Sequence, residues 1–273
     1  MTELISVVLT TYNWPEALAA SLRALLAQED AHFEIIVADD GSDAATGALV
    51  AEFAARSRFA IRHVWQADQG FRAATIRNKA VALSRGDYLL FADGDCVALP
   101  SFIGRHRRLA EAGYFVPGNR VLLSESFTAR KLKQDAPLHA MPFDYWLRQR
   151  LLGNINRLTP LLNLPDGSWR YVWARRWRKA MTCNLGVWKQ DFLRVNGFDE
   201  AYQGWGFEDS DLVIRLLHAG VLRKEGRFAA PVLHLWHPLH ARAAETENYQ
   251  RLMRRLADAD CIRSQLGVEQ YLN

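Results

Sequence analysis

Short apolar runs alternate with helical patterns over the first hundred residues of the chain. Each run is bounded by polar or turn-forming residues, and together they predict strands at residues 5–10, 33–38, 61–65 and 88–92. A helix is predicted from about Pro15, because four leucines follow it at helical spacing, and another over residues 73–84. This alternation indicates βαβ units and a parallel sheet.

The pattern changes after the first hundred residues. Residues 135–179 are predicted to be helical and are rich in basic residues, with turn-forming residues at 164–167. Beyond Met181 the pattern predicts an apolar segment at 183–188, a helix from about Lys189, a helix over 209–219 and a strand near 230–235. A glycine-rich segment, Gly204-Trp205-Gly206, precedes the helix at 209–219.

The composition excludes several classes of protein. The chain has 273 residues, of which 49% are apolar, so it can bury a large core and is not expected to be disordered. Its apolar runs are far shorter than the ~20 residues of a membrane-spanning helix, and its N-terminus lacks the basic segment of a secretory signal. Three widely spaced cysteines, Cys96, Cys183 and Cys261, favour a reducing compartment. We therefore expect a cytoplasmic protein.

Basic residues are concentrated in one part of the chain. Residues 128–179 contain eleven Lys or Arg and three acidic residues, a local net charge of +8, whereas the whole chain has a net charge of +4. This asymmetry predicts a basic surface for an anionic partner, which could be nucleic acid, an anionic membrane or a phosphorylated acceptor.

Acidic residues follow two of the predicted strands. Asp93-Gly94-Asp95 follows the fourth strand, and two carboxylates separated by a glycine suit a divalent cation, Mg²⁺ or Mn²⁺, that bridges to phosphate oxygens. The acids at 39–43 follow the second strand and could accept hydrogen bonds from a base or ribose. An ordinary acidic turn and a helix cap are the alternatives when each cluster is taken alone. Both lie beyond the carboxyl ends of strands, where open α/β sheets bind ligands.

Three motifs occur in a specific order: VVLTTYN at 7–13, VADDGS at 37–42 and FADGD at 91–95. They resemble the start of family 2 glycosyltransferases of the GT-A fold over roughly residues 4–105. The resemblance implies a nucleotide-sugar donor, with Asp39 and Asp40 at the uracil or ribose, Asp93 near the ribose and the metal, and Asp95 as a metal ligand. The further donor-site residues that it implies are Thr11, Phe71 near the base, and Arg72 or Arg77 near the diphosphate. Arginine suits a diphosphate by its charge and its forked hydrogen-bond donors. A solvated helix face is the alternative for Arg72.

A second resemblance covers roughly residues 180–240. The segment GWGFEDSD at 204–211 is similar to the GWGxED segment of β1,4-galactosyltransferases and of bacterial chondroitin polymerase domains. This similarity implies that Asp209 is the catalytic base, that Glu208 orients acceptor hydroxyls and that Trp205 is a stacking platform for donor and acceptor. A helix N-terminus would stabilise the Asp209 carboxylate, and the glycines would permit a mobile loop. A charged first helical turn with a core tryptophan is the alternative.

The same family pattern extends to later residues. His234 and His237 lie at the spacing of its late metal ligands, although a methionine occupies the position of His234 in that pattern. The resemblance therefore implies a Mn²⁺ or Mg²⁺ site formed by His237 and His234 together with Asp95 and Asp93, and ordinary surface or core histidines are the alternative. Asn184 is expected near the donor sugar and the acceptor.

Three tryptophans occur at 169, 173 and 177 among basic residues. If residues 168–179 are helical, the tryptophans form one stripe flanked by cations, which is typical of an interfacial anchor on an anionic bilayer. The alternatives are RNA binding, for which the sequence has no recognised motif, and a stripe that packs on the sheet. We therefore expect a peripheral membrane association through 168–179, and no nucleic acid partner.

Together these observations predict one GT-A domain over residues 1–273, an α/β fold in which a Rossmann-like nucleotide-binding sheet is fused to an acceptor-binding half. We expect a nucleotide-sugar half at 1–105, a basic helical insert at 106–180, an acceptor and catalytic half at 181–240 and a helical tail at 241–273. The sequence does not indicate how many copies of the chain associate.

The expected activity is inverting, metal-dependent transfer of a hexose or N-acetylhexosamine from a UDP-sugar to a glycan or lipid-linked acceptor, in the assembly of a bacterial surface polysaccharide or lipopolysaccharide. The alternatives are a family 2 enzyme that uses a GDP- or dTDP-sugar, a Mg²⁺-dependent nucleotidyltransferase, and a catalytically silent glycan-binding module. The presence of Asp40, Asp95 and Asp209 together disfavours the silent module, because binding alone needs no base. A nucleotidyltransferase would not explain the segment at 204–211.

Overall fold

The computed structural model describes residues 4–238 and 245–272. In these two ranges ten strands form two sheets. The strands are β1 (Ile5–Thr11), β2 (Phe33–Asp39), β3 (Ile61–Trp65), β4 (Tyr88–Asp93), β5 (Cys96–Ala98), β6 (Tyr114–Pro117), β7 (Asn119–Leu122), β8 (Asn184–Trp188), β9 (Leu222–Arg223) and β10 (Pro231–His234). The larger sheet has the order β3-β2-β1-β4-β8-β6-β9, and the smaller one has the order β5-β10-β7.

The first four strands are parallel, as the sequence predicts. The central strand β1 pairs with β2 on one side and with β4 on the other, so that Thr11 lies opposite Asp39 and Thr10 opposite Asp93. This register brings the two acidic strand ends to the same edge of the sheet. Beyond β4 the sheet is mixed, because β8 runs antiparallel to both β4 and β6.

The α-helices of the described residues pack around the two sheets. They are α1 (Pro15–Leu26), α2 (Ala44–Arg56), α3 (Ala73–Ala82), α4 (Phe102–Leu109), α5 (Glu125–Lys133), α6 (Phe143–Leu151), α7 (Lys189–Arg194), α8 (Glu208–His218) and α9 (Glu245–Ala257). One core cluster joins α1, α2 and α4 to alternate residues of β1 such as Val7, and another joins α3, α7 and α8 to the opposite face through Val8. The predicted doubly wound α/β architecture is confirmed.

The small sheet links the two halves of the chain. Strand β10 runs antiparallel to β5, so that His234 lies opposite Cys96, the residue that follows Asp95. It also pairs in parallel with β7. Residues 106–180 thus contribute the strands β6 and β7 as well as the helices α5 and α6.

The helix that would align the three tryptophans is absent from the described residues 168–179. A short 3-10 turn at Ser168–Tyr171 is followed by irregular turns, so this prediction is wrong. The reason is tertiary. Arg223 donates hydrogen bonds to the carbonyls of Arg176 and Arg178, and the buried Arg170 donates to those of Glu225 and Arg227. The segment is thereby held against the β9 region as a series of turns, whereas an α-helix would have used these carbonyls for its own hydrogen bonds.

None of the helices within 4–238 and 245–272 combines the length and the apolar character needed to cross a bilayer.

Candidate functional site

The carboxyl ends of β1, β2 and β4 meet at one edge of the large sheet. The turn after β4 passes close to β1, where the Gly94 amide donates to the carbonyl of Thr10 at 2.6 Å. A Cβ at Gly94 would lie 3.1 Å from both that carbonyl oxygen and Oγ1 of Thr11, so a larger residue would push the turn away from β1. The glycine between the two aspartates therefore sets the position of Asp95.

A cluster of three side chains lies just beyond this turn. Oδ2 of Asp95 is 3.2 Å from Nε2 of His237 and 3.7 Å from Nε2 of His234. These side chains are 11–27% exposed, and their ligand atoms all lie within 4.8 Å of one another. The pairing of β10 with β5 produces this arrangement, because it places residues distant in sequence side by side.

The donor set suits a divalent transition-metal ion. Nδ1 of His237 lies 2.8 Å from the Pro238 carbonyl; in the tautomer with the proton on Nδ1, this N–H donates to that carbonyl and Nε2 presents its lone pair on the side of Asp95. Burial raises the pKa of the Asp95 carboxyl, and the charge of Asp93 raises it further, while the two histidines lower it. A cation between these atoms would stabilise the carboxylate. Two imidazoles with one carboxylate fit Mn²⁺ better than Mg²⁺, which prefers oxygen ligands.

Asp93 lies outside this cluster. Its Oδ1 accepts a hydrogen bond from the Arg77 guanidinium at 3.2 Å, and the expectation that Asp93 is a metal ligand has no support in the geometry. Arg77 is buried and also donates to Oε1 of Glu208 and to Oγ1 of Thr10, each at 3.0 Å. The family resemblance implies that either this guanidinium or that of Arg72 lies near the diphosphate, and in the structure Arg77 joins two carboxylates from distant parts of the chain.

Asp209 occupies the first turn of α8, as the sequence predicts. Its Oδ1 accepts from the backbone N–H of Ser210 at 2.6 Å. Burial raises the pKa of Asp209 to about 7, and the charges of Glu208 and Asp93 also raise it, while Arg77 lowers it. The helix starts abruptly after Gly206 and Phe207, which both have positive φ, at 112° and 74°. A carboxyl with a pKa near neutrality can accept a proton at physiological pH.

The two acids after β2 have different surroundings. Asp39 is fully buried, and its carboxyl bonds to His63 and to the Ser42 amide. Burial raises the pKa of this carboxyl, but the hydrogen bonds have the larger combined effect, so its pKa lies below the usual value. Asp40 accepts from Gln66 and from the Arg72 amide, and burial raises its pKa. Asp39 therefore stabilises the loop, and its expected contact with the donor stays a prediction.

Several other predicted site residues serve the fold. Asn184 is buried, donates to the carbonyls of Asn119 and Ala230, and bonds His106 through Oδ1. Both polar atoms of the side chain therefore have partners within the protein, and the expected contact with an acceptor stays a prediction. The Arg72 guanidinium donates to the Ala67 carbonyl.

The glycine-rich loop rests on the donor side of the site. The Gly204 amide donates to the Phe71 carbonyl at 3.0 Å, and both Phe71 and Trp205 are half-buried. The carbonyl of Thr11 in turn accepts from the amide of Asp40. The segment at 204–206 is therefore in direct contact with the segment that precedes α3.

Two exposed aromatic residues at this edge were missed by the sequence interpretation. Trp65 ends β3 opposite Asp39, is 54% exposed and donates to the Ser42 carbonyl. Tyr12 is 47% exposed and donates to Asp68. The available signal was a large aromatic residue at or just beyond the carboxyl end of a predicted strand.

Comparison with known proteins assigns the chain to a family. The family model described as glycosyl transferase family 2 matches residues 6–176, and the model described as the N-terminal domain of galactosyltransferase matches residues 168–237. The chain belongs to glycosyltransferase family 2. Both resemblances seen in the sequence are thereby confirmed at the level of the family.

Named relatives and solved structures agree with this assignment. Validoxylamine A glucosyltransferase of Streptomyces hygroscopicus subsp. jinggangensis is 30% identical over 233 residues, which cover 80% of this chain and 52% of that protein. Chondroitin synthase of Escherichia coli is 25% identical over 231 residues, or 79% of this chain and 32% of that protein. This chain thus spans about half the length of the first of these relatives and a third of the second.

Two structures show the fold. The mannosyltransferase PcManGT from Pyrobaculum calidifontis, in complex with GDP-Man and Mn²⁺, superposes with a TM-score of 0.62 at 15% identity, covering 95% of this chain and 64% of that one. TarS of S. aureus gives 0.60 at 14% identity, covering 98% and 41%. The predicted GT-A fold and single domain are confirmed.

Proposed function

We propose that this family 2 glycosyltransferase is an inverting, metal-dependent enzyme that transfers a hexose or N-acetylhexosamine from a UDP-sugar to a glycan or lipid-linked acceptor. The assembly of a bacterial surface polysaccharide or lipopolysaccharide is the proposed setting. The observation that carries the proposal is the carboxyl of Asp209, with a pKa raised to about 7, on the same edge of the fold as the cluster of Asp95, His234 and His237.

The proposed roles follow from the contacts of each side chain. Asp209 would take the proton from the acceptor hydroxyl as the oxygen attacks the anomeric carbon, and a single displacement inverts its configuration. Glu208 is held by Arg77, so its other oxygen can orient acceptor hydroxyls. Trp205 would form an apolar wall for the sugars, and Asp40, Tyr12 and Trp65 would line the nucleotide side.

The cluster of Asp95, His234 and His237 would hold the cation. When bound, Mn²⁺ or Mg²⁺ neutralises the negative charge that develops on the leaving nucleoside diphosphate. The Pro238 carbonyl fixes the His237 ring by accepting from Nδ1. The two imidazoles favour Mn²⁺.

A GDP-sugar is the second candidate donor. The observation that favours it is the structural likeness to a mannosyltransferase solved with GDP-Man and Mn²⁺. The named glucosyl relative is consistent with a hexose as the transferred group. Both donors would use the same metal cluster and the same base.

The proposal is tested by thermal shift with UDP-, GDP- and dTDP-sugars, with and without Mn²⁺, followed by an assay of donor hydrolysis without acceptor. A donor at a hundred times its Kd stabilises the fold by about 2.7 kcal/mol, and we expect this stabilisation for UDP-sugars and only with Mn²⁺. Slow release of free sugar and nucleoside diphosphate would distinguish a transferase from a glycan-binding module. Absence of stabilisation by every nucleotide sugar would contradict the proposal.

Substitution of a metal ligand sharpens this test. Asp95→Ala should abolish both turnover and the Mn²⁺-dependent shift in Tm, because the two imidazoles alone hold the cation weakly. The matched control is Asp87→Ala, an exposed acid at the opposite end of β4, which should retain both. Full activity of Asp95→Ala, or of the unmodified protein in excess EDTA, would overturn the metal assignment.

A further inference from the structure

An exposed apolar stripe runs along α6. Phe143, Leu147 and Leu151 succeed one another at four-residue spacing and are 46%, 45% and 80% exposed, and the next residue, Leu152, is 61% exposed. The opposite face of the helix is buried through Trp146 and Gln149. Helical residues four apart share a face, so the stripe points away from the core. Soluble proteins rarely expose contiguous apolar side chains of this size without a partner.

Cations surround this stripe. Arg148 and Arg150 are exposed and flank it on α6, where the acid is Asp144. The neighbouring α5 adds exposed basic residues, Arg130 and Lys133. Its acids are Glu125 at the far end and, just beyond the helix, Asp135, which pairs with Arg23 of α1.

Aromatic contacts fix α5 beside α6. The rings of Phe127 and Trp146 lie 6.4 Å apart, and Nζ of Lys131 lies 5.7 Å from the centre of the Tyr145 ring. Helices α5 and α6 therefore lie side by side, and we term the apolar stripe of α6 together with the exposed basic residues of both helices the α6 face.

The α6 face adjoins the segment that carries the candidate metal ligands. The Trp236 amide donates to Oγ1 of Thr128 on α5 at 3.0 Å, and Trp236 is itself 37% exposed. The Leu123 amide donates to the His234 carbonyl, and Leu122 is 37% exposed. Exposed apolar residues thus continue from α6 towards the site.

We propose that the α6 face docks on an anionic lipid bilayer. A bilayer accommodates both features at once, because apolar side chains enter the acyl boundary while arginines meet anionic headgroups. A second copy of the chain fits less well, since arginines flank the stripe on both sides and self-pairing would bring like charges together. We place the membrane contact on this surface and not on residues 168–179, because the described structure of that segment lacks the helix that the predicted anchor requires. The inference that the bilayer carries the acceptor rests on the proposed function. The inference that the α6 face binds a bilayer is independent of that function.

The proposal is tested by sedimentation with vesicles of phosphatidylcholine alone or with 30% phosphatidylserine, at low and high salt. The unmodified protein should sediment with the anionic vesicles at low salt and be released at high salt, because salt screens the attraction between the cations of the α6 face and the anionic headgroups. Leu147→Asp combined with Leu151→Asp should lower the partition coefficient at least tenfold. Its Tm should be unchanged, because both side chains are exposed.

Two controls locate the surface. Leu256→Asp changes an exposed leucine on α9, and Arg175→Glu combined with Arg178→Glu reverses exposed charges of the segment 168–179. Both should bind vesicles within threefold of the unmodified protein. Turnover of the α6 variant on a water-soluble acceptor should be unchanged, and a failure of the proposed transferase activity would leave the vesicle result unaffected.

Three results would overturn the proposal: an unmodified protein that stays in the supernatant at low salt, an α6 variant that binds vesicles as well as the unmodified protein, or a lipid-free dimer that becomes monomeric in the α6 variant. The last result would show that a second copy covers the stripe.

Discussion

The surroundings of Asp209 set the pKa of its carboxyl. Burial raises the pKa of its carboxyl to about 7, the neighbouring Glu208 contributes in the same direction, and Arg77 opposes both. Below pH 7 the carboxyl is protonated and cannot accept the proton of an acceptor hydroxyl; above pH 7 it is ionised and can. The direction of the pH dependence follows from this single residue.

We expect kcat/KM to fall about tenfold for each pH unit below about 7, since the protonated base is inactive. Asp209→Asn should lower kcat by ~10² or more and leave the donor-induced shift in Tm unchanged, because the amide is nearly isosteric but takes no proton. The exposed Asp258 provides the control, Asp258→Asn. If donor binding falls as much as turnover, Asp209 is a binding residue and the base lies elsewhere.

At the scale of elements, α9 is held on α8 by a buried ionic network. Arg255 of α9 donates to Asp199 at 2.9 Å and to Asp211 of α8 at 2.8 Å. Asp211 is fully buried and also accepts from Arg215 at 2.7 Å and from the Tyr202 hydroxyl. The acids of α8 therefore have different surroundings: Asp211 lies in this buried network, whereas Asp209 faces the candidate functional site.

Arg255→Ala should destabilise the protein by about 3 kcal/mol, because it leaves two buried carboxylates without one of their cations. A loss of this size corresponds to a fall in Tm of roughly 5 °C or more, which differential scanning calorimetry would measure. Arg254→Ala changes the adjacent, exposed arginine and should alter Tm by less than about 1 °C. Equal effects of the two substitutions would contradict the network.

At the scale of the whole molecule, Arg77 joins the first half of the chain to the second. It lies on α3 and binds Asp93 at the end of β4 and Glu208 at the start of α8, 131 residues away in sequence. The Gly204 amide makes a second link to the Phe71 carbonyl. The charges that set the pKa of Asp209 therefore come from residues that only the tertiary fold brings together.

Arg77→Gln should have two effects. Loss of the guanidinium leaves Glu208 buried without its cation, so the protein should lose about 3 kcal/mol of stability. The same loss removes the group that lowers the pKa of Asp209, so the acid limb of the kcat/KM profile should move to higher pH. Arg85→Gln, at an exposed position after α3, is the control and should change neither quantity. An acid limb that does not move in Arg77→Gln would show that Arg77 does not influence the pKa of Asp209.

The sequence by itself determined the elements that local patterns encode. Apolar runs of strand length and polar strand ends predicted β1 to β4 and the edge where ligands bind, because the alternation of side chains and the chemistry of turns are local properties. The GWGFEDSD segment likewise located the start of α8. These signals were sufficient for the fold and for the positions of Asp95 and Asp209.

The tertiary structure alone decided which partner each polar side chain meets. Asn184 and Asp39 have the residue types of a binding site, yet neighbouring elements engage their polar atoms. The path of residues 168–179 depends on Arg223, about 50 positions later in the chain, and the exposure of α6 depends on which of its faces packs against α5. Hydrogen bonds between distant residues and the burial of one helix face arise from packing, and no local pattern records them.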